Sequence, residues 1–318
     1  MANTILTAEV IAEQALATLY ETIVMANLVH RDYEGEFSRK VGDAITIRRP
    51  LTFTAQEYVR ANGINVQSGT QTGIPMTLNH FADVSFAVTT EELALKIGDF
   101  DETFLTPAME AIVQKVERDI VAQAYADIVA EVGSATYVAE DTAVANGQYN
   151  YRDSRVLIEA GKVLTRKNVP TSQRYVIVGP DIAAAWKAER TWRQADKRGS
   201  TEGLTEANLG PRVSGFTPYE STNIPAPKAT GSQVVGDPTT EVGIAWHRDA
   251  LALATRPLPV PQGAKMAAVR SYKGLSVRVV YDYDMDTKED VVSVDMLYGT
   301  KVIDPNRAVL IKGPDKTA

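Results

Sequence analysis

The sequence predicts an α+β fold, on three observations: a long helix with one apolar face over 107–132, an alternating β-hairpin near the C-terminus, and a polar stretch over 51–75 between two strand-like runs. The helix needs a broad surface to cover, and alternating strands supply one. The polar stretch belongs to neither.

From the N-terminus, residues 7–29 read as an amphipathic helix. Ala12, Leu16, Leu19, Ile23 and Ala26 recur at spacings of four and three and line one face, with Thr7 a suitable N-cap. The opposite face is only moderately polar, which points to an arm laid against another surface; an ordinary surface helix is the plainer alternative. Val41-Gly42-Asp43 then turns into a strand over Ala44-Ile45-Thr46-Ile47-Arg48, and a second alternating run follows at Val84, Phe86 and Val88. Two strand arms around a polar middle predict a long projecting hairpin. Such a hairpin cannot bury itself and needs a neighbouring subunit.

The helix over 107–132 has Thr106 as N-cap, Pro107 at its first position and Gly133 as its stop. Its 26 residues would reach roughly 39 Å. Met109, Ile112, Val116, Ile120, Ala124 and Ile128 hold one face, and the flank Val113, Val121, Val129 makes the stripe wider than a two-helix coiled-coil seam.

After a polar interlude at 134–150 the pattern turns α/β. Leu157, Ala160 and Leu164 mark a helix ending near Asn168-Val169-Pro170, Tyr175–Val178 a strand, and Asp181 to about Arg190 another helix. Residues 191–211 are charged and loop-like, Val213–Phe216 is strand-like, and 256–261 is held extended by its prolines. In the final hairpin Val277, Val279, Tyr281 and Tyr283 share one face, as do Val292, Val294, Met296 and Tyr298, joined by the acidic segment 284–290.

Bulk properties narrow the function. Across 318 residues, 44% are hydrophobic and 23% charged, enough for one sizeable core or two smaller ones. No apolar run reaches membrane length, no signal peptide is expected, and there is no cysteine for disulfides, thiolate metal sites or thiol nucleophiles. The net charge of −7 argues against a dedicated nucleic-acid binder. An acidic wall around DNA would touch it weakly and without sequence preference.

The search for chemistry fails at each step. Asp282-x-Asp284-x-Asp286 begins like a calcium loop, but Thr287 stands where the loop wants Gly and Ser293 where it wants Glu. His30, His80 and His247 are isolated and read as polar contacts. Glu9/Glu13, Glu91-Glu92 and Glu110/Glu117 read as solvated helix-face charges, while Arg190/Arg193 and Lys197-Arg198 are too short for a nucleic-acid stripe. No phosphate loop or nucleophile elbow is present, so neither an enzyme nor a bound cofactor or metal is expected.

Several motifs carry a resemblance. Leu28-Val29-His30-Arg31-Asp32-Tyr33, the Val41-Gly42-Asp43 turn with Ile45 to Pro50, Gly215-Phe216 through Ser221-Thr222-Asn223-Ile224-Pro225, and Tyr298-Gly299-Thr300-Lys301-Val302 resemble major capsid proteins of tailed bacteriophages. The resemblance implies the Hong Kong 97-type fold, with an N-terminal arm (1–36), an extended β-hairpin loop (37–90), a peripheral domain with a long spine helix (91–150), an axial α/β domain (151–265) and a returning peripheral β-hairpin (266–318). Some relatives carry an inserted barrel domain; the short span from Pro225 to Trp246 leaves no room for it. The arm helix begins close to Met1, so a separate scaffolding protein is expected.

The resemblance further implies self-assembly into pentamers and hexamers, a portal, weakly contacted DNA, a decoration protein as an optional partner, no membrane, and a virion assembled in the host cytoplasm. Arg48, Arg49, Tyr58 and Arg60 are the candidate intersubunit contacts. An encapsulin compartment shares the fold and is the nearest rival. A tail or baseplate protein and an uncharacterised α/β enzyme are more distant ones.

Overall fold

The described residues of the computed structural model are 24–31, 44–48, 73–89, 104–134, 149–189, 212–228, 234–263, 266–272, 275–285 and 289–313, with single positions at 12–16, 53–67, 209–210 and 231–232. Helix α1 (Met25–Leu28) is followed by strands β1 (Ala44–Arg48), β2 (Gly73–Thr77) and β3 (His80–Thr89). Next come α2 (Thr106–Asp127), β4 (Glu131–Val132), α3 (Val156–Arg166), β5 (Arg174–Val178), α4 (Pro180–Ala188) and β6 (Thr217–Glu220). The chain continues with β7 (Gly243–His247), β8 (Leu251–Arg256), β9 (Met266–Tyr272), β10 (Leu275–Asp284), β11 (Glu289–Val302) and β12 (Ala308–Ile311).

Helix α2 lies across a sheet ordered β3-β11-β10-β9, with β8 also paired to β11. The strict alternation of β11 decides which side it presents. Val292, Val294, Met296 and Tyr298 are fully buried and meet Val277 and Val279 of β10 and Met109, Ile112, Val116 and Ile120 of α2 in one core. Burying side chains of this size contributes about 1.5–3 kcal/mol each.

The other sheet runs β4-β12-β7-β5-β6, mixing parallel and antiparallel pairs. Its strands alternate between two cores. Val176, Val178, Ala245, Val309 and Ile311 face α3 and α4, whereas Ile177, Ile244, Trp246 and Leu310 face the core of α2. Coverage on both sides explains why β7 and β12 are buried at every position. Ile47, Met76 and Leu78 join Ala252, Ala254, Leu258, Leu297 and Ile303 in a smaller third cluster.

Several expectations need correction. β1 pairs antiparallel with β2, from Ala44 opposite Thr77 to Arg48 opposite Gly73, so the returning hairpin arm is 73–77. The run Val84, Phe86, Val88 is a strand, but it pairs with β11 along its whole length. Alternation identified the strand; it could not choose between partners.

Helix α2 ends at Asp127, five residues short of the expected end at 132, and its 22 residues span roughly 33 Å. Ile128 is already extended, because β12 draws the following backbone into the sheet: Leu310 N donates to Ala130 O at 2.8 Å and Lys312 N to Val132 O at 3.1 Å. Gly133 (φ +108) serves that crossing, since a Cβ there would meet Lys312 O at 2.6 Å. Thr106 lies inside the helix, and the N-cap position, Leu105, makes no side-chain capping bond. Val113 and Val121 are buried as expected; Val129, beyond the helix, is 82% exposed.

Val213–Phe216 is a tight turn, closed by reciprocal backbone bonds of 2.8 and 2.9 Å with Ser214 and Gly215 at positive φ. The strand is the next segment, β6. The expected helix start at Thr7, the face positions Leu19 and Ile23, the polar interlude at 135–148, the loop at 190–208 and the pairs Glu91-Glu92, Arg190/Arg193 and Lys197-Arg198 lie outside the described residues. Among the described residues no helix is long and apolar enough to cross a membrane.

Candidate assembly surfaces

The ribbon β1–β2 is anchored at its base. Ile47 lies opposite Ile74, and with its diagonal neighbour Met76 it sits in the third cluster against β8 and β11. Gly299 permits that approach: a Cβ there would stand 2.2 Å from Thr77 O, which is backbone and cannot swing aside. This accounts for the glycine in the Tyr298–Val302 motif.

Beyond the base, the described positions between the strands face solvent. Phe53, Ile64 and Val66 are 63%, 83% and 85% exposed. One exposed apolar residue is ordinary, but three on a single connection call for a cover. Of the candidate contact residues, Arg60 is exposed in a turn, and Arg48 closes the ribbon opposite Gly73. Arg49 and Tyr58 lie outside the described residues. The three apolar residues were missed in the sequence because their spacing has no period; their signal was isolation within a polar stretch.

The arm side is built differently. Ala12, Ala15, Leu16, Met25, Ala26 and Val29 are buried in the core of α2, which agrees with the predicted face at Ala12, Leu16 and Ala26. Arg270 on β9 reaches Glu13 at 3.3 Å. His30 is laced to β8 by backbone bonds from its N to Leu251 O and from Leu253 N to its O, both 3.0 Å. Glu117 corrects the view of the acidic residues as solvated: it is 4% exposed and accepts backbone N–H bonds from Val24 at 2.8 Å and Met25 at 3.0 Å.

Two residues further along α2, Asp119 fixes the helix to the sheet. Its Oδ2 accepts from the Tyr298 hydroxyl at 2.6 Å and from Lys115 Nζ at 2.8 Å, with His80 Nδ1 at 3.3 Å. Burial alone would raise its pKa, but the bonds from Lys115 and Tyr298 outweigh it and hold the carboxyl below its usual value. The same burial, with the adjacent carboxylate, pushes the Tyr298 phenol up. His80 stacks on Tyr298 with ring centroids 5.3 Å apart. His247 accepts from Asp249 N at 3.3 Å, and burial lowers its pKa. His80 and His247 thus act as polar contacts within the fold.

Asp282 and Asp284 stand exposed at the end of β10, and Asp286 is outside the described residues. Among the described residues no group of three or more His, Asp or Glu side chains could hold a metal ion.

Comparison with known proteins identifies the fold and the family. A structure from Mycobacterium phage Che8 matches with a TM-score of 0.65 and 21% identity, covering 91% of this chain and 90% of that one. The capsid of cyanophage P-SCSP1u matches with a TM-score of 0.55 and 12% identity, covering 87% of this chain and 85% of that one. The mature capsid of bacteriophage PhiM1 gives 0.52 and 12%, covering 85% and 82%. At these identities the likeness establishes the fold, which is the expected Hong Kong 97-like one. No curated protein sequence matches. A model of the phage capsid protein family matches residues 84–311, well over half of the sequence, and the chain belongs to that family.

Proposed function

We propose that this major capsid protein assembles through its ribbon and arm into pentamers and hexamers of an icosahedral shell enclosing the double-stranded DNA of a tailed phage. The observation that carries the reading is the ribbon: strands seated in a core of their own, with Phe53, Ile64 and Val66 uncovered beyond them. A heterologous contact of this kind repeats from copy to copy and closes only when its rotation closes. Five- and six-fold rings of one surface are the closed solutions a shell needs.

The reading includes a division of labour along the chain. The arm (1–36) and the extended loop, ending at β2, make intersubunit contacts. The body of α2 with its sheet is the peripheral domain, and the body of α3 and α4 the axial one. A separate scaffolding protein and a portal belong to the assembly, which takes place in the host cytoplasm, and a decoration protein is an optional addition. DNA meets a wall with a net charge of −7 per copy and is held loosely. Arg48, Arg49, Tyr58 and Arg60 supply polar contacts around the apolar ones.

The full-length chain, expressed with a scaffolding protein of the same phage, is expected to give closed shells by negative-stain electron microscopy and megadalton species by sedimentation. Monomers or dimers alone under those conditions refute the reading. Shells filled with a dedicated protein cargo and no DNA in infected cells would favour an encapsulin-type compartment instead.

A further inference from the structure

We propose that Glu117 is the residue that positions the N-terminal arm, clasping it to the long helix and to the loop after β6 through one buried carboxylate. The inference rests on the capsid reading for its role in assembly, though not for its geometry.

Both oxygens of Glu117 are engaged. Oε1 accepts the backbone N–H groups of Val24 and Met25, where α1 begins, and Oε2 accepts Asn223 Nδ2 at 2.9 Å. All three groups are donors, which suits an ionised carboxylate that can accept several bonds and donate none. Asn223 is itself oriented: Arg118 Nε donates to its Oδ1 at 3.2 Å, so its NH2 group faces Glu117, and its own N–H goes to Ser221 Oγ at 3.1 Å. A continuous polar chain therefore runs from Arg118 through Asn223 and Glu117 to the arm.

The three joined elements are far apart in sequence, with Glu117 separated by 92 and 93 residues from the arm amides and by 106 from Asn223. Against α2 the arm packs through apolar, non-directional contacts of Met25, Ala26 and Val29, and its directional backbone bonds at His30 go to β8 instead. Apolar packing tolerates sliding by a fraction of a turn. Two amides on one buried oxygen do not, because a shift leaves buried donors without acceptors. Glu117 thus sets the register of the arm on α2, and Asn223 makes that register depend on where the loop after β6 lies. The same chain gives Asn223, within the Ser221–Pro225 motif, a role that the fold alone does not require.

A donor–acceptor reversal tests this. E117Q keeps the shape but offers one acceptor and one NH2 group, so a donor must face either the arm amides or Asn223 Nδ2. N223D alone puts two carboxylates together. E117Q combined with N223D restores complementarity: the introduced amide donates to the introduced carboxylate, which still accepts from Arg118, and the remaining oxygen keeps the arm.

Hydrogen exchange of peptides covering Val24–Leu28 is measured on the full-length chain, as unassembled subunits and as particles. Exchange is expected to rise about tenfold or more in either single variant and to return to within about threefold of wild type in the double variant. If a single variant does not fold, recovery of folding and protection in the double variant supports the clasp equally. Unchanged exchange in E117Q, or a double variant as exposed as the singles or unable to fold, overturns it. Failure of the capsid reading would show separately, as wild-type subunits that never form particles.

Discussion

Replacing Tyr298 with Phe isolates a single interaction between the long helix and the sheet. The ring is fully buried and stacked on His80, and Phe keeps its volume and packing. What is lost is the 2.6 Å bond from the hydroxyl to Asp119 Oδ2. A hydrogen bond to a charged group is worth about 1.5–3 kcal/mol. Asp119 retains bonds to Lys115 at 2.8 and 3.0 Å, and its side chain is 17% exposed, so water replaces part of what the hydroxyl gave. The lower end, about 1.5 kcal/mol, is therefore expected for Y298F at pH 7. K115M removes a partner whose side chain is 53% exposed and should cost at most about 0.5 kcal/mol. The burial of the hydroxyl, not the formal charge of its alternative, decides the order.

The pH dependence follows from the same carboxylate. Its pKa is lower in the folded chain than the usual 3.8, so its contribution is complete above that value and fades as pH falls through the folded value. The deficit of Y298F should shrink in acid. Urea unfolding of unassembled subunits, repeated from pH 7 down towards pH 3, measures both effects. A variant as stable as wild type at pH 7, or a deficit that grows on acidification, would refute the assignment.

Two further outcomes concern assembly. Arg48 lies directly opposite Gly73, so replacing 49–72 by Asn-Gly supplies a two-residue hairpin turn in register; circular dichroism and cooperative melting should persist while electron microscopy shows no shells. Normal shells from that variant would sink the proposed role of the loop. Shells should also lack covalent links between subunits, because the chain has no cysteine and no lysine between Lys40 and Lys96; boiling particles in detergent should release one band near 34.6 kDa, and a ladder would contradict it.

The elements that could be read in the sequence are those whose own periodicity carries the information. β10 and β11 alternate so regularly that their inward sets, Val277 and Val279 with Val292, Val294 and Met296, follow from the letters alone. Leu157, Ala160 and Leu164 likewise mark the buried face of α3. Errors came where a distant strand decides. β3 looked like a hairpin arm because nothing in 84–88 names β11 as its partner. Residues 128–132 continue the helical pattern, yet two backbone bonds from β12 take them into a sheet. Of the candidate contacts, basic residues attracted notice by their charge, whereas Phe53, Ile64 and Val66 carried no period to betray them.

Helix ends show the same limit and give it a structural meaning. The start of α4 looks self-sufficient, with Pro180 and Asp181, but its cap comes from Glu241, whose Oε2 accepts Ile182 N at 2.8 Å from 59 residues away. Gly179 makes room for it, since a Cβ there would fall 2.0 Å from Glu241 Oε1. Glu189 closes the loop entering α3 by accepting Ser154 N at 2.7 Å, and Arg174 closes the exit with bonds to Val169 O at 2.7 Å and Pro170 O at 2.8 Å. Burial raises the pKa of both Glu241 and Glu189, and the bonds they accept, from the amides of Ile182 and Asp181 and from the hydroxyl and amide of Ser154, offset only part of that cost. Glu241 and Glu189 tie α4 and the entry of α3 to residues distant in sequence, and Arg174 ties the exit of α3 to β5, so α3 and α4 cannot shift without breaking buried polar bonds. Glu117 extends the device to the arm. A body fixed in this way, with Phe53, Ile64 and Val66 left uncovered, meets the two demands of a shell subunit: a rigid unit to repeat, and a surface that stays incomplete until the next copy arrives.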